Sequence, residues 1–172
     1  IIVNGEEIPC EALILAIGHS SRDTYEMLNN IGIFMEPKAF AIGVRIEHPQ
    51  EMINIGQYGK MASHPRLQAA SYNLTYQSRA LGRGVYSFCM CPGGVVVAAA
   101  SEEKRLVSNG MSYHARDKEN SNSALVVTVG PEDFEGSSVL RGMEFQRHYE
   151  ALAYKVGGGN YNAPVQLLGD FV

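Results

Sequence analysis

Residues 82–100 read GRGVYSFCMCPGGVVVAAA. Two runs of strand-forming residues, Gly84 to Cys91 and Val95 to Ala100, flank Pro92-Gly93-Gly94. Proline fixes one backbone angle and the glycines accept positive φ, so the chain reverses there instead of continuing into a helix. The same alternation of short strand and turn extends in both directions. Ser71 to Ser78, Arg105 to Asn109, Met111 to Tyr113 and Ala124 to Val129 read as strands. Gly82-Arg83-Gly84, Ser101 to Lys104, Asn109-Gly110 and the polar run His114 to Ser123 separate them. Upstream, Ala41, Gly43, Arg45 and Glu47 alternate with Ile42, Val44 and Ile46, the period-two pattern of a strand. Residues 50–70 read as loop and short helix. A helix is expected from Ser137 or Ser138, with Phe145, Tyr149, Leu152, Ala153 and Val156 on one face and Gly157 to Gly159 as its stop. The expected class is α+β, a mainly antiparallel sheet with packing helices.

The first 32 residues differ in character. Ile1 to Val3, Asn4-Gly5 and Ile8 predict a short hairpin. The run ALILAIG, residues 12–18, has the unbroken apolar character of a strand buried on both faces of a parallel sheet. Gly18 would end it, Ser20 or Ser21 would cap the following helix, Asp23 would sit at the positive end of that helix, and Gly32 would stop it. The chain opens inside an apolar strand and closes soon after Val165, Leu167 and Leu168, so it is expected to be an internal piece of a longer protein.

The chain has 172 residues, 45% of them hydrophobic and 19% charged, with a net charge of −4. That composition suits one core and lacks the basic excess that nucleic-acid binding needs. No apolar run approaches a membrane span and no signal peptide is recognisable, so no membrane partner and a cytoplasmic location are expected. The three cysteines do not form a disulfide framework. Cys89 and Cys91 are spaced C-x-C on a strand, which suits neither a zinc half-site nor an unstrained disulfide. They are expected to be reduced, metal-free side chains on one strand face. No spacing identifies a nucleophile with its base. A glycine at the end of a buried strand, as in Gly18-His19-Ser20, is a place where nucleotides bind in doubly wound sheets, although no GxGxxG occurs in the chain.

Four longer blocks carry a resemblance: EALILAIGHSSRDTYEML (11–28), EPKAFAIGVRIEHPQ (36–50), GRGVYSFCMCPGG (82–94) and EEKRLVSNGMSYHARDKENSNSA (102–124). Together they resemble the bacterial FAD-dependent dehydrogenase family, NAD(FAD)-utilizing dehydrogenases of uncharacterised substrate. The resemblance implies a two-domain flavoprotein, with residues 1–20 closing its Rossmann-like FAD domain and residues 21–172 forming an inserted substrate or cap domain. It implies FAD contacts at Gly18, His19, Ser20, Pro92, Gly93 and Gly94, and substrate contacts at Arg45, His48, Cys91, Arg116, Asn120 and Asn122. The expected chemistry is hydride transfer through FAD, with NAD(P)H as a candidate partner of the flavin, and the 172-residue chain alone would be inactive and colourless. The competing readings are a stand-alone ligand- or protein-binding domain and a thiol-based redox protein using Cys89 and Cys91.

Overall fold

A computed structural model describes residues 1–172, which form two compact units, Ile1–Phe34 and Met35–Val172. In the first, β1 (Ile2–Val3) pairs antiparallel with β2 (Glu6–Glu7). Both turn residues take positive φ, 51° at Asn4 and 85° at Gly5, as a tight hairpin turn requires. Helix α1 (Arg22–Asn30) carries Asp23 in its first turn. The backbone N–H groups of Gly32 and Ile33 close its end on the carbonyls of Asn29 and Leu28. Ser21 sits at the N-cap position without capping, because its hydroxyl donates instead to the Ile17 carbonyl at 2.9 Å.

The expected parallel strand at residues 12–18 is not formed. Leu13 and Ile14 are 59% and 91% exposed, and no strand of the chain pairs with the run. A strand of that kind needs neighbours on both edges to satisfy its backbone and layers on both faces to cover its side chains. The described residues provide neither.

The second unit is antiparallel throughout. Its elements are β3 (Phe40–Pro49), α2 (Gln50–Tyr58), β4 (Thr75–Ser78), β5 (Arg83–Cys91), β6 (Gly94–Ala99), β7 (Val107–Ser112), β8 (Asn120–Val129), α3 (Arg141–Val156) and α4 (Leu168–Phe171), with single 3-10 turns at Gly59–Met61 and Pro131–Asp133. The main sheet has the order β3-β8-β5-β4, and β6-β7 is a separate hairpin. The β3–β8 ladder is unbroken from Phe40↔Val129 to Pro49↔Asn120. Phe40 stacks on Phe134 at 5.1 Å between ring centroids, Phe134 meets Phe145 at 5.2 Å, and Phe145 meets Tyr149 at 4.9 Å. This aromatic row pins the first half of α3 to the start of β3. Further along α3, Leu152 and Val156 are exposed, so only part of the expected apolar face packs.

Three expectations for this unit change. Asn109-Gly110 lies inside one strand, β7, and makes no turn. Residues 120–123, read as part of a solvated loop, are the first four of β8, where Ser121, Asn122 and Ser123 are 0% exposed. Cys89 and Cys91 do not share an environment. A bulge between Phe88 and Cys91 shifts the ladder, Cys89 takes φ 51° and is exposed, and Cys91 is buried.

Candidate functional site

Cross-strand partners in an antiparallel ladder lie on the same face, and residues alternate along each strand. Glu47↔Asn122 and Arg45↔Ala124 therefore place Arg45, Glu47, Asn120 and Asn122 on one face, joined by Cys91↔Asn122 from β5. His48↔Ser121 and Ile46↔Ser123 lie on the other. The substrate candidates are thus divided by the sheet, with Arg45, Cys91, Asn120 and Asn122 on one side and His48 on the reverse.

On the first face Arg45 Nη1 donates to Asn122 Oδ1 at 2.9 Å and makes a long contact of 3.5 Å with the Cys89 carbonyl. The Cys91 thiol donates to the same carbonyl at 3.4 Å. An arginine only donates, so the Asn122 oxygen must face it, and the amide NH₂ points elsewhere. Asn122 Nδ2 and Arg45 Nε are both buried without an acceptor. Burial raises the Cys91 thiol above its ordinary value, the nearby Cys89 adds to that, and the Arg45 charge opposes it. Glu47 is engaged by Asn120, whose Nδ2 donates to Oε1 at 2.7 Å.

Gly110 of β7 closes this cluster. A Cβ at Gly110 would collide with Asn122 Oδ1, and would stand 2.6 Å from Arg45 Nη1 and 2.8 Å from Cys91 Sγ. The glycine is there because three polar tips occupy the space of its side chain.

On the reverse face His48 Nε2 meets the Tyr72 hydroxyl at 2.8 Å, and its Nδ1 meets the Ser121 hydroxyl at 3.2 Å. Burial raises the Tyr72 phenol above its ordinary value, against the opposing pull of a hydrogen bond from Ser123 and the Arg45 charge. Tyr72 lines an open pocket of about 310 Å³ with Asn73, Ser87, Phe88, Cys89 and Met90.

The Pro92-Gly93-Gly94 turn and the 113–117 turn are in contact. Gly93 N donates to Gln50 Oε1 at 2.7 Å, Lys118 N donates to the Gly93 carbonyl at 3.3 Å, and Ser112 Oγ donates to the Pro92 carbonyl at 2.8 Å. A Cβ on Gly93 would run into the Arg116 carbonyl. Pro92, Gly93 and Gly94 are buried, and the space their small size leaves is filled by the chain itself. Arg116 is exposed at φ 52°. In the first unit Gly18, His19 and Ser20 are exposed, Gly18 has φ 72° with nothing within 4 Å of where a Cβ would be, and its carbonyl accepts from Tyr25 Oη at 2.9 Å.

Gly110, Tyr72, Ser121, Ser123 and Gln50 were not candidates on sequence. One signal could have found the serines. A ten-residue β3 needs a ten-residue partner, and Ala124 to Val129 offers six residues, so β8 must begin near Asn120.

Residues 39–172 match the family model described as FAD-dependent protein, C-terminal domain-like. Over all 172 residues the chain is 77% identical to an uncharacterized protein of Clostridium beijerinckii and spans 32% of that protein's length. No helix is long and apolar enough to cross a membrane.

Proposed function

The chain belongs to the FAD-dependent protein, C-terminal domain-like family, and on that premise we propose that it is the substrate-side part of a flavin-dependent dehydrogenase about three times its length. The observation that carries the reading is the family match across residues 39–172. Residues 1–20 are assigned to the closing edge of the FAD-binding domain and 21–172 to the inserted domain. The bare apolar run at 12–18 supports the first assignment, since it has the composition of an inner strand and no partner among these residues.

The residues present fit an edge of an FAD site. The Gly18 turn is exposed and open above the glycine, so a flat ring can approach its backbone, and His19 and Ser20 offer polar groups beside it. The phosphate-cradling glycine loop lies outside this sequence. Bound FAD supplies a two-electron acceptor for hydride. The chain's own residues would bind and orient the small-molecule substrate, with Arg45 and Asn122 as donors and exposed Arg116 as a second cation. Pro92 to Gly94 would act by fixing the 113–117 turn that carries Arg116. A thiol-based reading is less well supported, because burial keeps Cys91 protonated and a thiolate is the reactive form.

Anaerobic mixing of the intact protein with NADH or NADPH tests the reading and extends it to NAD(P)H. Bleaching of the flavin bands by either nucleotide is expected. A flavin that dithionite bleaches and neither nucleotide touches would remove NAD(P)H from the proposal.

A further inference from the structure

On the face of the main sheet that carries Arg45, no carboxylate is hydrogen-bonded to the guanidinium. The guanidinium meets two neutral acceptors, the Asn122 oxygen at 2.9 Å and, at longer range, the Cys89 carbonyl at 3.5 Å. Glu47, two residues along the same strand face, accepts from Asn120 instead. Burial raises both the Cys91 thiol and the Tyr72 phenol against the pull of the Arg45 charge, so neither supplies an anion. Two N–H donors here, Arg45 Nε and Asn122 Nδ2, are buried with no acceptor, and Asn122 is 0% exposed. Leaving one such donor unmade costs about 1–3 kcal/mol. Structures rarely leave two such donors on a pair of hydrogen-bonded residues unless something else supplies the acceptor.

We propose that the Arg45–Asn122 nest, closed by Gly110, seats a carboxylate group. The missing partner is an acceptor, because both open atoms are donors, and an anion suits it best, because Glu47 is held by Asn120 and no carboxylate pairs directly with Arg45. A single cation matches the one charge of a carboxylate, whereas the phosphate dianion would leave a charge unmatched in a buried setting. The wall over the nest is the β6–β7 hairpin, which shares no ladder with the four-stranded sheet, so displacing it would break no strand pair. That the carboxylate belongs to the substrate of a flavin reaction rests on the functional reading above. The binding itself does not.

The test titrates the intact protein with sodium acetate, following the Asn122 side-chain NH₂ by ¹H–¹⁵N NMR, with acetamide and inorganic phosphate as parallel arms. Acetate is expected to shift the Asn122 NH₂ signals, with a Kd in about the millimolar range for so small a probe. Arg45→Met should weaken binding at least about tenfold. Asn122→Asp removes the open Nδ2 donor and sets a negative charge against Arg45, so it should abolish acetate binding, followed here by calorimetry because the reporter amide is gone. The proposal is overturned if acetate leaves the signals unmoved, if acetamide or phosphate binds as well as acetate, if Arg45→Met binds normally, or if Asn122→Asp still binds acetate. The visible spectrum of the same samples separates the two claims. Flavin without acetate binding removes the nest alone, and acetate binding without flavin removes the functional reading and leaves the nest.

Discussion

Gly110 shows how a single residue misleads when it is read alone. Asn109-Gly110 has the composition of a tight turn, yet the pair lies in the middle of β7, where Gly110 faces Val96 across the hairpin. Its lack of a side chain serves a close approach by Asn122, Arg45 and Cys91, and none of these is near it in sequence. Local propensity carries no record of such a contact. Gly110→Ala should therefore cost about 1–3 kcal/mol, as overpacking does, read as a lower denaturant midpoint with unchanged m. An alanine variant of unchanged midpoint would mean that the cluster gives way easily. The cysteines make a second case. The C-x-C spacing predicts two side chains on one strand face, but the bulge turns Cys89 outward and leaves Cys91 inside. Iodoacetamide should modify Cys89 and Cys10 well before Cys91, whose thiol is buried and raised above its ordinary value. Mass mapping of equal modification at Cys89 and Cys91 at neutral pH would contradict the bulge.

At the scale of elements, patterning located most of the sheet. The period-two run through β3, the two arms around Pro92-Gly93-Gly94 and the aromatic face at the start of α3 were legible because each is a local repeat that meets one buried face. The beginning of β8 was not. Ser121, Asn122 and Ser123 are polar yet wholly buried, and the partners they have are long-range ones such as His48, Arg45 and the Phe88 carbonyl. A polar run looks like loop until its partners are known. Another element is fixed by charge. Arg83 of β5 donates from Nη1 to Asp133 Oδ2 at 2.9 Å, with a second Nη2–Oδ1 contact, and Asp133 also accepts from Gly130 N at 2.9 Å. The Arg83 hydrogen bond first, and the Gly130 N–H second, hold the Asp133 carboxyl below its ordinary value. A carboxyl lowered by folding contributes stability that is present above its unfolded value of about 3.9 and lost as pH falls through the folded value. Thermal melts should show wild type losing more Tm than Asp133→Asn as pH is taken from about 5 to below about 3. Parallel curves would show that the pair adds nothing.

At the scale of the whole molecule, the α+β class follows from the succession of short strands and turns, and the antiparallel sheets bear it out. What the residues could not supply is the company of residues 12–18. Their composition asks for a sheet on both sides, and the chain leaves Ile14 91% exposed. In the second unit Tyr76 and Phe88 are 68% and 61% exposed on the main sheet. Apolar groups left open in this way, in a chain that spans 32% of its Clostridium beijerinckii relative, fit a piece whose surfaces are completed by further sequence. The most direct test of the flavoprotein account is the flavin content of the intact protein set beside that of the 172-residue chain. The account predicts a yellow intact protein that releases about one FAD per chain on denaturation, and a colourless short chain that does not take up added FAD. An intact protein that is colourless as purified, and stays free of flavin after incubation with excess FAD, would contradict it.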